Sequence, residues 1–302
     1  MTDELAIAVR FGLYVSLMIG FGTAAFALHA PSGTSAALPL RRLFVVSALA
    51  GLVLSSAGLV ILAAGMAGVA LGDVDRETVI SVLTDSAVGT SWIVRMTALG
   101  GLLIVAFLPA RIAAAGAAAG GVALATLAWS GHGAADEGLV GWVHLGADVV
   151  HLAAAATWLG ALVGLLLLLV RPLSLMDAAH VGLCRQALRG FSTTGTIVVG
   201  TIVVTGAISG WLLVGPSGIS LLGSTLYGRL LIAKLALFAA MLAFAWGNRF
   251  RLTPALEREI VEGDPAGAVS ALRWSMALET GCAVAVLGLV AWLGTLEPVS
   301  SS

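Results

Sequence analysis

Charge is what this sequence has least of. Only 10% of its 302 residues are Asp, Glu, Lys or Arg, and they balance to a formal net charge of -1. No broad basic surface is therefore available for nucleic acid. Cysteine is nearly absent as well. Cys184 and Cys282 stand far apart and form no CxxC pair, which excludes a disulfide framework. Catalytic signatures are also missing: there is no GxSxG elbow, no HExxH zinc motif and no phosphate loop. Those absences remove the commonest hydrolase and nucleotide-binding classes.

What fills the chain instead is apolar. Hydrophobic residues make up 59% and the mean hydropathy is +1.05, far above a water-soluble domain of this length. Repeated apolar runs read as membrane-spanning helices, because only a helix satisfies every backbone group in lipid without a partner. The runs predict an all-α polytopic bundle of about eight spans, over 5–29, 41–71, 91–109, 111–130, 139–170, 191–215, 226–248 and 271–294. Abundant Gly and Ala suit close helix packing. The first run is read as a span rather than a signal peptide, since MTDELAIAVR is acidic where a signal is basic and the run is too long.

Arginine sets the expected orientation. Arg41, Arg42, Arg111, Arg171, Arg185, Arg189, Arg249, Arg251 and Arg258 fall in alternate connections, and Asp73, Asp75, Glu77, Asp85, Asp136 and Glu137 fall in the others. The positive-inside rule makes the arginine loops cytoplasmic and puts both termini on the periplasmic side. The chain reads as a single transmembrane domain over 1–302 with no soluble domain. Segment 171–190 reads as an amphipathic interfacial helix, and 249–273 as a charged, solvated loop.

One stretch, GHGAADEGLVGWVHLGADVVHLAAAATWLG at 131–160, concentrates three of the five histidines. His144, Asp148 and His151 fall at i, i+4 and i+7. Seven residues of helix turn through roughly 700°, so both imidazoles share a face about 10 Å apart along the axis. Asp148 lies between them, and His132 precedes them on the outer side. Ionisable groups inside lipid are costly and mark ion or substrate pathways. Imidazole suits copper, zinc, iron and nickel, and a carboxylate either orients the ring or binds the ion itself. The stripe therefore points to metal or haem handling.

Weaker candidates lie along the same route. Thioethers of Met18, Met66 and Met96 would suit a cuprous ion, although methionine is ordinary packing material too. Met176, His180 and Cys184 repeat at i, i+4 and i+8, a soft-ligand exit on the cytoplasmic side. Arg95 and Lys234 are intramembrane cations able to pair with Asp148 or reach the interface. Glu279, inside the last span, suits either a proton or ion relay or a hydrogen bond between helices. The threonines of span six, Thr193 to Thr205, read as packing residues.

Taken in order, GHG and HLGADVVHLAAAATWLGAL in 131–163, RGFSTTGTIVVGTIVVTGAISGW at 189–211, YGRLLIAKLALFAAMLAFAWGNRF at 227–250 and LRWSMALETGCAVAVLGLVAWLGTLEP at 272–298 resemble the bacterial copper resistance protein D (CopD) family. The core of the resemblance is 131–298; the first half matches mainly by span count and by SWIVR at 91–95. It implies copper handling at the bacterial inner membrane, most often uptake from periplasm to cytoplasm, beside a periplasmic copper-binding partner of the CopC type. The family's histidines correspond to His132, His144 and His151, so the expected cargo is a copper ion, Cu+ or Cu2+, and no enzymatic activity is expected. Tyr14 stands in span one where some relatives carry histidine. A distant similarity to b-type haem proteins keeps a haem b oxidoreductase as the alternative, and a copper sensor or scaffold without flux as a third reading.

Overall fold

The computed structural model describes residues 2–108, 112–130, 138–172 and 176–297. Eleven helices are present among them: α1 (Thr2–His29), α2 (Thr34–Ala37), α3 (Leu40–Ala67), α4 (Arg76–Asp85), α5 (Ala87–Val105), α6 (Ile112–Ala125), α7 (Gly138–Leu169), α8 (Ala178–Gly218), α9 (Leu226–Gly247), α10 (Thr253–Glu262) and α11 (Ala266–Leu293). No strand occurs among the described residues. Eight helices are long and apolar enough to cross a membrane, so the protein is a multi-pass helical membrane protein.

Local chemistry sets the helix ends. Asp75, Ser86, Asp177 and Thr225 cap α4, α5, α8 and α9 by accepting N–H bonds from Thr78, Gly89, His180 and Gly228, which satisfies donors that a helix N-terminus leaves open. Gly68 and Gly263 end α3 and α10 in the left-handed conformation that lacks a steric penalty only for glycine.

Helices α1 and α7 are the hub. α1 packs on α3, α6, α7 and α11, while α7 packs on α1, α8 and α11. Gly22 lies against the Ala156 carbonyl and Gly160, and Phe26 lies against Gly164. Matching positions rise together along both helices, so α1 and α7 run parallel at backbone contact. Only glycine permits this approach, the membrane form of small-residue packing. At 1.5 Å per residue the 32 residues of α7 reach about 48 Å, well beyond a ~30 Å hydrocarbon core. One end of α7 therefore stands in the interface.

Two expectations change. Segment 171–190 is not a separate interfacial helix. Asp177 caps a helix that continues unbroken from Ala178 until Gly215 adopts φ 63°, and Val181, Cys184, Ala187 and Leu188 face the core from its first turns. The 249–273 region is not a solvated loop either. A π-helical turn at Asn248–Leu252 leads into α10, whose Thr253 and Leu256 are buried at helical spacing. Arg189 of α8 meets Glu257 of α10 at 3.2 Å, which ties the two segments together.

Candidate functional site

The site begins on the first half of α7. His144 is buried and Asp148 partly exposed, with His144 Nε2 and Asp148 Oδ2 3.8 Å apart. His151, one turn further on, is half-buried. The i, i+4, i+7 pattern thus folds into a single stripe, because every intervening residue is compatible with helix.

Helix α8 runs antiparallel to α7 and supports this stripe with hydroxyls. Ser209 Oγ donates to Asp148 Oδ1 at 3.0 Å. His151 Nδ1 lies 2.9 Å from Thr205 Oγ1, and that hydroxyl already spends its one proton on the Thr201 carbonyl at 2.6 Å. A hydroxyl has a single donor, so the His151 ring must supply the N–H. Nδ1 therefore carries the proton, and Nε2 keeps its lone pair. Gly206 lies beside the ring, where a Cβ would stand 3.5 Å from His151 Cε1. Lys234, on α9, lies within electrostatic range of Asp148 and His151. The stripe thus runs along α7 with its hydroxyl partners on α8.

Other predicted residues fall in different places. His132, with Asp136 and Glu137, lies outside the described residues. Met18 is buried in the core four residues before Gly22, hence alongside the α7 turn that follows His151. Met66 is 66% exposed near the end of α3, and Met96 is half-buried on α5. Among the described residues, no three His, Cys, Asp or Glu side chains converge as a group able to hold a metal ion.

Met176, His180 and Cys184 gather at the C-terminal end of α7. His180 Nε2 lies 2.8 Å from the Leu168 carbonyl, and Cys184 Sγ points at the same oxygen from 3.8 Å. Arg273 bonds the Leu169 and Arg171 carbonyls and contacts Met176 Sδ. Together these groups satisfy carbonyls that a helix C-terminus leaves without intrahelical partners.

The intramembrane charges are also engaged. Arg95 Nε donates to Thr126 Oγ1 at 2.7 Å, and its Nη2 donates to the Thr126 carbonyl at 3.2 Å, which links α5 to the 3-10 turn after α6. Glu279 is 1% exposed. Its Oε1 accepts from Trp158 Nε1 at 2.9 Å and its Oε2 from Asn248 Nδ2 at 2.8 Å, joining α7, α11 and the π-helical turn.

Sequence reasoning missed Ser209 and gave Thr205 only a packing role. A signal was present: Thr205 and Ser209 are four apart on one helix face, a spacing that can serve Asp148 and His151 on an antiparallel neighbour.

The fold and this imidazole-carboxylate stripe define a polytopic helical membrane protein with a polar seam between α7 and α8. Two family models match the chain, "Copper resistance protein D-like, N-terminal domain" over residues 1–142 and "Copper resistance protein D" over 185–293. The first half therefore carries a family match of its own. Copper resistance protein D of Pseudomonas syringae pv. tomato is 43% identical over 99% of this chain and 98% of its own length. Inner membrane protein YebZ of Escherichia coli (strain K12) is 26% identical over 97% of this chain and 98% of its own length. No solved structure matches. The chain belongs to the copper resistance protein D family, and its function is copper-related and membrane-bound.

Proposed function

We propose that this protein carries copper across the bacterial inner membrane, from periplasm to cytoplasm, along the α7 stripe. The observation that supports this reading is the His144, Asp148 and His151 line, in which Thr205 leaves His151 Nε2 with its lone pair available. A ligating histidine commonly donates its other ring N–H to a fixed acceptor, which sets the tautomer and raises ligand basicity. Transport needs sites weak enough to release the ion, and two- or three-ligand steps suit that better than a closed four-ligand cage.

In this reading a separate periplasmic copper-binding protein of the CopC type delivers the ion to His132 and His144. Asp148 supplies charge and orients His144, and the ion then passes to His151 and to the level of Met18. The positive charge of Lys234 on α9 opposes the ion in the site and so favours its release. Met66, being largely exposed, is left off the route, and the Met176, His180 and Cys184 trio is left as the cap of α7. The activity is movement of an ion rather than catalysis. A b-type haem fits this geometry poorly, because His144 and His151 rise from one face of one helix instead of from facing helices.

Copper accumulation in cells expressing His144→Ala or His151→Ala tests the reading. Both variants should lose the copper gained with the native chain at equal membrane abundance. Undiminished accumulation in both would refute the path, and a Soret band in the purified protein would return haem to first place. Vesicles loaded with a copper indicator separate transport from sensing, since only transport brings copper inside.

A further inference from the structure

Away from the histidine stripe, residues of α7, α8, α9 and α11 line a cavity of about 510 Å³. An ion or a single water fills only about 30 Å³, whereas small-molecule sites run from about 300 to 1,000 Å³. The cavity is therefore of ligand size. Its walls are apolar, with four aromatic residues, Trp158, Phe191, Trp246 and Phe250. Flat rings of this kind favour a flat ring between them.

The floor is polar and made of acceptors. Glu279 already receives one hydrogen bond on each oxygen, from Trp158 and from Asn248. Because the amide N–H must face the carboxylate, the carbonyl end of Asn248 turns elsewhere. Asn248 is only 5% exposed, and its Oδ1 is buried with no hydrogen-bond partner among the described residues. A buried acceptor left unmet costs about 1–3 kcal/mol, so this position calls for a donor.

The entrance narrows the choice further. Helices α8 and α9 are consecutive in the chain yet barely touch, and the cavity reaches the surface beside Trp246 and Phe250, which are 52% and 57% exposed. Both lie in or beside spans, so the opening faces lipid at the arginine-rich end of the bundle. Arg189, Arg249 and Arg251 flank it; Arg249 bonds the Ser192 carbonyl and Thr196, and Arg251 lies over the Trp246 ring. Guanidinium groups at the mouth disfavour a cationic head, and a carboxylate at the floor disfavours an anionic one.

We propose that this cavity binds a neutral, membrane-dissolved molecule with an apolar tail and a hydroxyl-bearing ring, of the quinol type, which enters between α8 and α9 and donates its O–H to Asn248 Oδ1. The assignment is independent of copper transport and goes beyond it.

The test is calorimetric titration of the full-length chain in lipid nanodiscs under argon with a decyl-substituted benzoquinol, against protein-free discs. The oxidised benzoquinone, which has no O–H, and plain decane are titrated in parallel. The quinol should bind saturably, and the quinone at least about tenfold more weakly, as expected for loss of a hydrogen bond to a buried acceptor. Ala245→Phe on α9 and Val199→Phe on α8, which put bulk into the cavity and leave Glu279 and Asn248 in the chain, should each abolish binding while native helicity is retained. Absence of saturable quinol binding, equal affinity for the quinone, binding of decane alone, or full binding in both filled variants would overturn the proposal.

Discussion

His151 Nδ1 lies 2.9 Å from Thr205 Oγ1, and the Thr205 hydroxyl in turn donates to the Thr201 carbonyl. Two helices thereby fix the tautomer of a half-buried imidazole. Thr205→Val keeps the side-chain shape but removes the hydroxyl, so the ring loses its side-chain partner on Nδ1. Such supporting groups are worth about 10- to 100-fold in metal affinity. Copper titration of the purified variant should show a loss in that range, and Thr205→Ser should restore native affinity. An unchanged affinity in Thr205→Val would show that the hydroxyl plays no part in ligation.

The contact of Gly22 with Gly160 makes a separate prediction about stability. A Cβ at Gly160 would overlap the backbone of Gly22, and one at Gly22 would overlap the Ala156 carbonyl. No rotamer change relieves a clash with backbone, so α1 and α7 would have to separate. Overpacking of this kind costs about 1–3 kcal/mol or more. Gly160→Ala should lower the detergent-solubilised unfolding temperature clearly, while Gly146→Ala, where a Cβ meets nothing, should leave it nearly unchanged. Equal midpoints for the two would contradict the hub.

These two sites differ in how far the sequence announces them. Span count and most span limits are legible because lipid demands a fixed apolar length, and length is written directly in the chain. The same holds for the His144, Asp148 and His151 stripe, since residues on one helix need only helical periodicity to be placed together. The start of α8 was not legible. An amphipathic interfacial helix and the first turns of a long span have the same pattern until a neighbour such as Leu168 covers one face. Likewise α10 looks like a loop by charge, and Leu256 reveals it only when buried. Thr205 and Ser209 depend on the register between α7 and α8, a quantity that a single chain's periodicity does not contain.

Asp75 gives the clearest pH-dependent feature outside the spans. Its exposed carboxylate accepts the Thr78 N–H at 2.7 Å, and this backbone bond chiefly holds its pKa below the ordinary value of 3.8. A folded-state pKa below the unfolded one means that the cap is fully present above the ordinary carboxylate range and is lost as pH falls through the lowered value. The Thr78 amide resonance should therefore titrate below pH 3.8, and in Asp75→Asn it should not respond to acid in that window. A midpoint above the ordinary value would disprove the cap's contribution.

Glu279 distinguishes a hydrogen-bonding role from a charge role. Glu279→Leu would leave Trp158 Nε1 and Asn248 Nδ2 buried without acceptors, at about 1–3 kcal/mol for each. Glu279→Gln keeps an oxygen for Trp158, and a turn of the Asn248 amide offers its oxygen to the new N–H. Thermal unfolding should fall sharply for the leucine variant and little for the glutamine variant. If both fall alike, the negative charge itself holds this junction of α7, α11 and the π-helical turn.

Lys234 makes the opposite kind of prediction, in which binding improves and transport worsens. It lies on α9 within electrostatic range of Asp148 and His151, so its positive charge opposes an arriving copper ion. Lys234→Met retains the apolar stem and removes that charge. Removing a positive charge within range of the site favours a cation there, so copper affinity should rise, by about tenfold if the loss of repulsion is about 1.4 kcal/mol. The same change deepens the site and removes the group that drives release, so flux into indicator-loaded vesicles should fall. Weaker copper binding in Lys234→Met would show that the lysine holds Asp148 in its ligating position rather than opposing the ion.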